Sequence, residues 1–286
     1  MDELWLDVEG RPIRCLTSGR GRPLLLCHGF LSSAEEFGGR FTELAEQHQL
    51  IVPDLPGNGG SAPLPVPHTA DSIAATLETL LRQLGVEALD VAGVCLGASV
   101  ACALARRCGE RVDRLVLHTP LIAPALIRRF YREQVRIATI PAVWRAVVAL
   151  SRNRTVSNLY KRFVIAEGDV DDRTAQANFD NQLRADAAAA REWLRNGVQH
   201  EDLDVLLERG RPTLVIVAEH DQMVDIDRLQ RLIAKRENIK LVIDRAQSHG
   251  WNHEAVRRQL TVMQEFFGDA TSQERSSNRG ARVQSA

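Results

Sequence analysis

Residues 88–107 read ALDVAGVCLGASVACALARR, and this stretch decides the fold. The apolar run before Gly93 predicts a short buried strand, and the alanine-rich run after Gly97 predicts a helix. Two glycines at this spacing let a strand and a helix approach closely, and the residue between them is held in a strained conformation with its side chain exposed. Cys95 occupies that position. The pattern therefore predicts a sharp strand-to-helix turn that presents one thiol.

Strands and helices alternate on both sides of this turn. Apolar runs of strand type lie within 22–30, 50–53, 111–120, 211–221 and 239–246, and helical patterns lie at about 33–47, 71–85 and 254–267. Residues 4–19 alternate apolar and polar side chains around Glu9-Gly10, which indicates a hairpin. Alternating strands and helices require a mostly parallel sheet with helices on both faces, so the sequence predicts the α/β class.

The alternation stops between two of the strands. Residues 121–205 contain helical patterns and lack strand-like runs, so we expect a helical cap (lid) inserted into a core formed by 1–120 and 206–268. Ligands bind at the carboxyl edge of the strands in open α/β sheets, which is where this insertion leaves the core. The polar tail 269–286 lacks aromatic residues, and we expect it to be disordered.

Composition narrows the classes of function. The formal net charge of -1 gives no reason to expect nucleic acid or an anionic membrane as a partner. The 5 cysteines form no C-x-x-C pair, and no motif asks for a metal, nucleotide or flavin. We therefore expect no cofactor. The start of the chain lacks a signal-peptide pattern and no apolar run is long enough for a membrane span, so a reducing cytoplasm is the expected compartment.

Cys95 needs companions to act as a nucleophile. His249 follows the last predicted strand, where a base for the carboxyl edge would stand, and His253 is its competitor four residues later. Asp221 ends the preceding strand and could orient an imidazole. Three neighbours of Asp221 remain alternatives for the same role: Glu219, His220 and Asp225.

A second group of residues could stabilise an oxyanion. The backbone N–H of Leu96 begins the predicted helix, and the N–H of Phe30 lies in the loop after another strand. Gly29 would let that loop bend close to the turn, and we expect the side chain of His28 to fix the loop by hydrogen bonding.

The motifs together resemble the α/β-hydrolase superfamily. They are CHGF (27–30), DLPGNGGS (54–61), GVCLGAS (93–99), AEHD (218–221) and SHGWNHE (248–254), in the order of that superfamily. The resemblance implies the hydrolase fold with a helical cap. It also implies Cys95 as nucleophile, Asp221 as acid and His249 as base, with oxyanion donors at Phe30 and Leu96.

The cysteine departs from the serine that most members carry. A G-x-C-x-G elbow is similar to that of dienelactone hydrolases and polyhydroxyalkanoate synthases, whereas the capped layout resembles esterases, lactonases and C–C hydrolases. A thiolate nucleophile would give an acyl-thioester intermediate. We therefore expect a hydrolase of an ester, lactone or thioester whose small-molecule acyl substrate is free or carrier-bound. The alternatives are an acyltransferase and a catalytically silent protein that binds a small ligand.

Arginines concentrate in the first part of the expected cap. They are Arg128, Arg129, Arg132, Arg136 and Arg145. One interpretation is a cationic mouth for a carboxylate or a phosphopantetheine carrier. The other, which we favour from the sequence, is the solvated face of an amphipathic helix.

Overall fold

One mixed sheet organises the protein. A computed structural model describes residues 1–160, 172–245, 249 and 254–268. The strands are β1 (Asp2–Asp7), β2 (Pro12–Ser18), β3 (Arg22–Cys27), β4 (His48–Pro53), β5 (Leu89–Val94), β6 (Val112–His118), β7 (Thr213–Ala218) and β8 (Ile239–Asp244). They form a sheet in the order β1-β2-β4-β3-β5-β6-β7-β8. The pairs β1–β2 and β2–β4 are antiparallel, and the remaining pairs are parallel.

Helices cover both faces of the sheet, as the alternation predicts. They are α1 (Ala34–Arg40), α2 (Ala70–Gln83), α3 (Leu96–Cys108), α4 (Arg129–Ala138), α5 (Pro141–Ser151), α6 (Arg154–Tyr160), α7 (Asp172–Arg184), α8 (Ala187–Gly197), α9 (Leu203–Glu208), α10 (Ile226–Ile233) and α11 (254–268). One hydrophobic cluster joins α2 and α3 to the sheet, and a second cluster on the other face includes Phe41, Leu44 and Phe267. The expected α/β architecture is therefore confirmed.

The helical insert is the segment from α4 to α9, which lies between β6 and β7. Within its described residues it adds no strand to the sheet. The division into a core of 1–120 and 206–268 and a cap of 121–205 stays a prediction, and the tail 269–286 lies outside the described residues. Of the described helices, none is both long and apolar enough to cross a bilayer.

The helix expected over about 33–47 is wrong in its length. α1 ends at Arg40, and a short 3-10 helix follows over Thr42–Glu46. Gly38 and Gly39 weaken the α-helix because glycine loses more backbone entropy than other residues on folding. The break at Phe41 also lets Phe41 and Leu44 both enter the core.

Gly97 lets α3 lie against the end of β3. A Cβ added there would lie 2.3 Å from the carbonyl oxygen of His28 and 2.4 Å from that of Cys27. Because backbone atoms cannot move aside, we expect Gly97→Ala to lower the free energy of unfolding by about 3 kcal/mol in urea denaturation. Gly39→Ala is the control, since a Cβ at this exposed position in α1 meets open space. An equal effect of the two substitutions would contradict this tight packing.

Candidate active site

Cys95 occupies a strained turn between β5 and α3. Its φ is 55° and its ψ is -119°, in the left-handed half of the map that non-glycine residues rarely adopt. The backbone around it holds this conformation: Cys95 N donates to His118 O at 3.0 Å, and Leu121 N donates to Cys95 O at 3.2 Å. The Cys95 side chain is half-buried at the carboxyl edge of the sheet. The structure thus has the sharp turn that the glycine spacing predicts.

Gly93, two residues before Cys95, is as constrained as Gly97. A Cβ added at Gly93 would lie 2.3 Å from the carbonyl oxygen of Gly97 and 2.8 Å from Cα of Ala98. β5 and the first turn of α3 are therefore in direct backbone contact, which fixes the direction in which the turn projects Cys95.

Asp221 and His249 form a close pair beside this turn. His249 Nδ1 lies 2.9 Å from Asp221 Oδ2. The other carboxylate oxygen of Asp221 accepts hydrogen bonds from the backbone N–H groups of Met223 at 2.7 Å and Val224 at 3.0 Å. Burial raises the pKa of Asp221, but the charge and hydrogen bond of His249 and the two backbone donors outweigh burial and lower it. Asp221 is consequently an ionised carboxylate at neutral pH.

His249 connects Asp221 to Cys95. Burial lowers the pKa of His249, but the charges of Asp221 and Cys95 and side-chain hydrogen bonds with both residues hold it well above the ordinary value. Since Nδ1 faces Asp221, Nε2 is the ring nitrogen that faces the Cys95 sulfur. The structure therefore brings Cys95, His249 and Asp221 together in one chain of contacts.

The alternatives to Asp221 make no hydrogen bond or ion pair with His249 among the described residues. Glu219 and His220 are exposed, and the Asp225 carboxylate accepts a hydrogen bond from Arg228 N at 3.0 Å at the start of α10. His253, the competitor of His249, lies outside the described residues.

The loop after β3 lies against the turn that carries Cys95. A Cβ added at Gly29 would lie 3.3 Å from Cys95 Cβ, so Gly29 allows the close approach. His28 Nε2 accepts a hydrogen bond from Leu55 N at 2.9 Å, and its Nδ1 lies 2.8 Å from Gly29 O. These two contacts require the neutral Nδ1–H tautomer and tie the loop to the segment after β4. Phe30 and Leu96, the first residue of α3, thereby flank Cys95.

Two further residues at the site were not singled out by sequence analysis. His118 ends β6, and its burial together with the charge of His249 lowers its pKa to about 3, so its imidazole is neutral. Its place at the carboxyl end of a central strand was the available signal. Trp193 of α8 packs edge-on against Phe30, with ring centroids 6.2 Å apart, and against His28 at 6.3 Å. No local pattern distinguishes Trp193 from an ordinary core residue.

A match to a protein-family model identifies the family of this chain. Residues 22–254, more than half of the chain, match the family model described as the alpha/beta hydrolase fold. The chain belongs to the α/β-hydrolase family. In this chain the strained turn follows β5, and the paired Asp221 and His249 follow β7 and β8.

Individual relatives match shorter parts of this α/β-hydrolase. The dihydrolipoyllysine-residue acetyltransferase component of the acetoin cleaving system of Cupriavidus necator is 30% identical over 116 residues, which are 40% of this chain and 31% of the relative. The soluble epoxide hydrolase of Corynebacterium sp. strain C12 is 33% identical over 110 residues, 38% of each protein. The chain thus matches less than half of the length of these curated relatives.

Solved structures show the same fold over nearly the whole chain. A thermophilic esterase from Thermogutta terrifontis has a TM-score of 0.74 at 21% identity, and the match covers 94% of this chain and 99% of the esterase. At this identity the likeness shows the fold of the α/β-hydrolase and not its substrate.

The raised pKa of His249 predicts how this α/β-hydrolase responds to pH. Its folded-state pKa exceeds the unfolded value of about 6.5, so its stabilising effect is complete below that pH and is lost as pH rises through the folded pKa. The lowered pKa of Asp221 keeps that carboxylate charged down to below about 3.9. We expect the unfolding free energies of wild type and His249→Gln, measured in urea, to differ most between about pH 3.9 and about pH 6.5.

A matched control separates this effect from the general titration of the protein. The side chain of His220 is exposed on the loop after β7, and it forms no hydrogen bond or ion pair with Asp221 among the described residues. We expect His220→Gln to lack the loss of unfolding free energy that His249→Gln shows below about pH 6.5. A His249→Gln difference that grows as pH rises above about 6.5 would contradict the assigned pKa shift.

Proposed function

We propose that the protein hydrolyses an ester, lactone or thioester through nucleophilic catalysis by Cys95, with His249 as base and Asp221 as the acid that orients it. The contact of one imidazole with both a buried carboxylate and the Cys95 side chain carries this proposal. A thiol that served only for packing would need neither a strained backbone nor a charged histidine beside it. A small-molecule acyl compound is the substrate class that fits this chemistry.

The first half-reaction acylates the enzyme. The Cys95 thiolate attacks the carbonyl carbon, a C–S bond forms, and the carbonyl electron pair moves to oxygen. The N–H groups of Phe30 and Leu96 are the proposed donors to that oxyanion, and one such donor contributes about 3 kcal/mol in comparable sites. The leaving group departs with the proton of His249 Nε2, which leaves an acyl thioester on Cys95 and a neutral imidazole.

The second half-reaction releases the acid. His249 Nε2 takes a proton from water as the water oxygen bonds to the acyl carbon, and collapse of the tetrahedral intermediate breaks the C–S bond. Asp221 accepts from Nδ1–H throughout, so it stabilises the imidazolium and keeps Nε2 directed at the reacting atoms. The helical insert acts as a cap in this proposal, because Trp193 packs on Phe30 beside Cys95.

Intact-mass spectrometry with a panel of activated esters, lactones and thioesters tests the proposal. The expected result is a mass increase equal to one acyl group, which disappears as the free acid accumulates. A transferase would accumulate an amide or a new thioester when an amine or thiol is added, at the expense of the acid. Neither adduct nor turnover across the panel would overturn the enzymatic assignment and favour a silent ligand-binding protein.

A further inference from the structure

A cavity lies within the helical insert. Its volume is about 540 Å³, and α4, α8 and the turn between α4 and α5 form its walls. Arg132, Arg136, Arg191 and Arg195 line it. Glu133 is the acidic residue among the described residues of the wall. A concave site with this excess of guanidinium groups matches the geometry that carboxylates and phosphates require.

Three of these arginines form no ion pair with an acidic side chain within the described part of the chain. Arg136 Nε binds Glu133 Oε2 at 2.7 Å, so that pair is neutral. No described acidic side chain forms an ion pair with Arg132, Arg191 or Arg195. The three remaining charges repel one another unless an anion lies between them.

The donors of the cavity are partly fixed before any ligand binds. Arg191 Nε donates to Thr139 O at 2.7 Å, which holds the planar guanidinium at the wall and leaves its Nη donors for another acceptor. Arg132 Nε is buried and has no hydrogen-bond partner among the described residues. A buried donor without an acceptor is unfavourable, and an anion in the cavity would supply one.

Helix α8 separates this cavity from Cys95. Arg191 and Arg195 are one turn apart and line the cavity. Trp193 and Gly197 lie about half a turn away around the helix and contact the other site: Trp193 packs on Phe30, and a Cβ at Gly197 would lie 2.7 Å from Leu96 Cδ2. The cavity is therefore a second site on the opposite side of the helix that covers the turn.

We infer that this cavity binds a phosphate group. A phosphate offers several acceptor oxygens and up to two negative charges, which suits three unbalanced arginines better than a single carboxylate does. The phosphate could be a free anion, or it could belong to a carrier that delivers the acyl group to Cys95. If the phosphate belongs to an acyl carrier, the inference rests on the proposed function. If it is a free anion, the inference does not depend on that function.

Calorimetric titration with pyrophosphate and with inorganic phosphate, at constant ionic strength, tests the inference directly. The variant R132Q/R195Q removes two cavity arginines that have no ion-pair partner among the described residues, and R129Q/R145Q removes two exposed arginines of the same insert that do not line the cavity. We expect at least tenfold weaker binding for R132Q/R195Q and less than a twofold change for R129Q/R145Q. Glu133→Gln should tighten binding, because it removes the one negative charge of the described wall.

The outcomes against the inference are specific. Equal loss in the two double variants would show attraction to net charge only, and unmeasurable binding by a folded wild-type protein would show that the cavity is not a phosphate site. If succinate binds as tightly as pyrophosphate, the cavity is a carboxylate site, and the assignment of phosphate is overturned.

Kinetics distinguish the two sources of phosphate. A coenzyme A thioester carries phosphates, whereas the N-acetylcysteamine thioester of the same acyl group carries none. A carrier site predicts that R132Q/R195Q raises KM at least fivefold for the first substrate and leaves the second unchanged. A free-anion site predicts no such difference. Absence of turnover with both thioesters would count against the proposed function and leave the calorimetric result intact.

Discussion

Cys95→Ala is expected to lower kcat/KM for an activated acyl substrate by at least about 10⁴-fold, the scale seen when a catalytic nucleophile is removed. The acyl adduct should vanish with the activity, since the C–S bond can no longer form. The loss should appear in kcat, because the sulfur forms its bond to the acyl carbon only in the chemical step. Steady-state kinetics and intact mass on the same preparation measure both effects.

Cys102→Ala is the matched control for Cys95→Ala. Cys102 lies on α3 and is buried, and burial raises its pKa well above the ordinary value, so it is an inert thiol. Activity within about twofold of wild type is the expected result. An adduct that persists in Cys95→Ala and disappears in Cys102→Ala would move the nucleophile and refute the proposed mechanism.

Cys95→Ser distinguishes two kinds of thiol-dependent chemistry. The serine oxygen would form an ester intermediate with the same elbow, histidine and aspartate, so slow hydrolysis could continue. A transferase that depends on the reactivity of a thioester should lose transfer to amines and thiols. Measuring hydrolysis and transfer in parallel therefore reports which fate of the acyl group uses the sulfur.

The strand-to-helix turn was predictable because its determinants are local. Gly93, Cys95 and Gly97 lie within five positions, and the contacts that require glycine are with the adjoining strand ends. The pairing of His249 with Asp221 was also accessible from sequence, since both residues follow parallel strands whose carboxyl ends meet at one edge. Strand positions alone left Glu219, His220, Asp225 and His253 open, and the resemblance to the α/β-hydrolase superfamily favoured His249 and Asp221 among them.

The contacts of the helical insert could not be predicted in the same way. The arginine pattern of 128–145 does not show which helix each arginine faces. Arg128 Nε donates to Val224 O at 3.2 Å, and Arg145 is exposed. Arg132 and Arg136 instead line the same cavity as two arginines of α8, Arg191 and Arg195. Such arrangements depend on the packing of helices that are distant in sequence, and helix propensity does not encode that packing. The approach of Trp193 to Phe30 has the same origin.

Asp221→Asn is expected to lower kcat/KM by about 10³- to 10⁴-fold while the fold is retained. The backbone N–H groups of Met223 and Val224 require an acceptor at the first oxygen, so the amide oxygen must take that place. The amide NH₂ then faces His249 Nδ1, where Oδ2 stood in the wild type. Because two donors cannot face each other, His249 must carry its proton on Nε2, and it can no longer take a proton from water or a thiol.

The tautomer of His249 gives this second prediction a readout besides activity. Nitrogen NMR of the His249 ring should show protonation at Nδ1 in wild type and at Nε2 in Asp221→Asn once both rings are neutral. Asp225→Asn is the matched control, since Asp225 lies on the same loop and accepts a hydrogen bond from Arg228 N without contacting His249. Its kcat/KM should stay within about threefold of wild type. An Asp221→Asn protein with full activity and an unchanged tautomer would show that Asp221 serves the loop after β7 and does not orient the base.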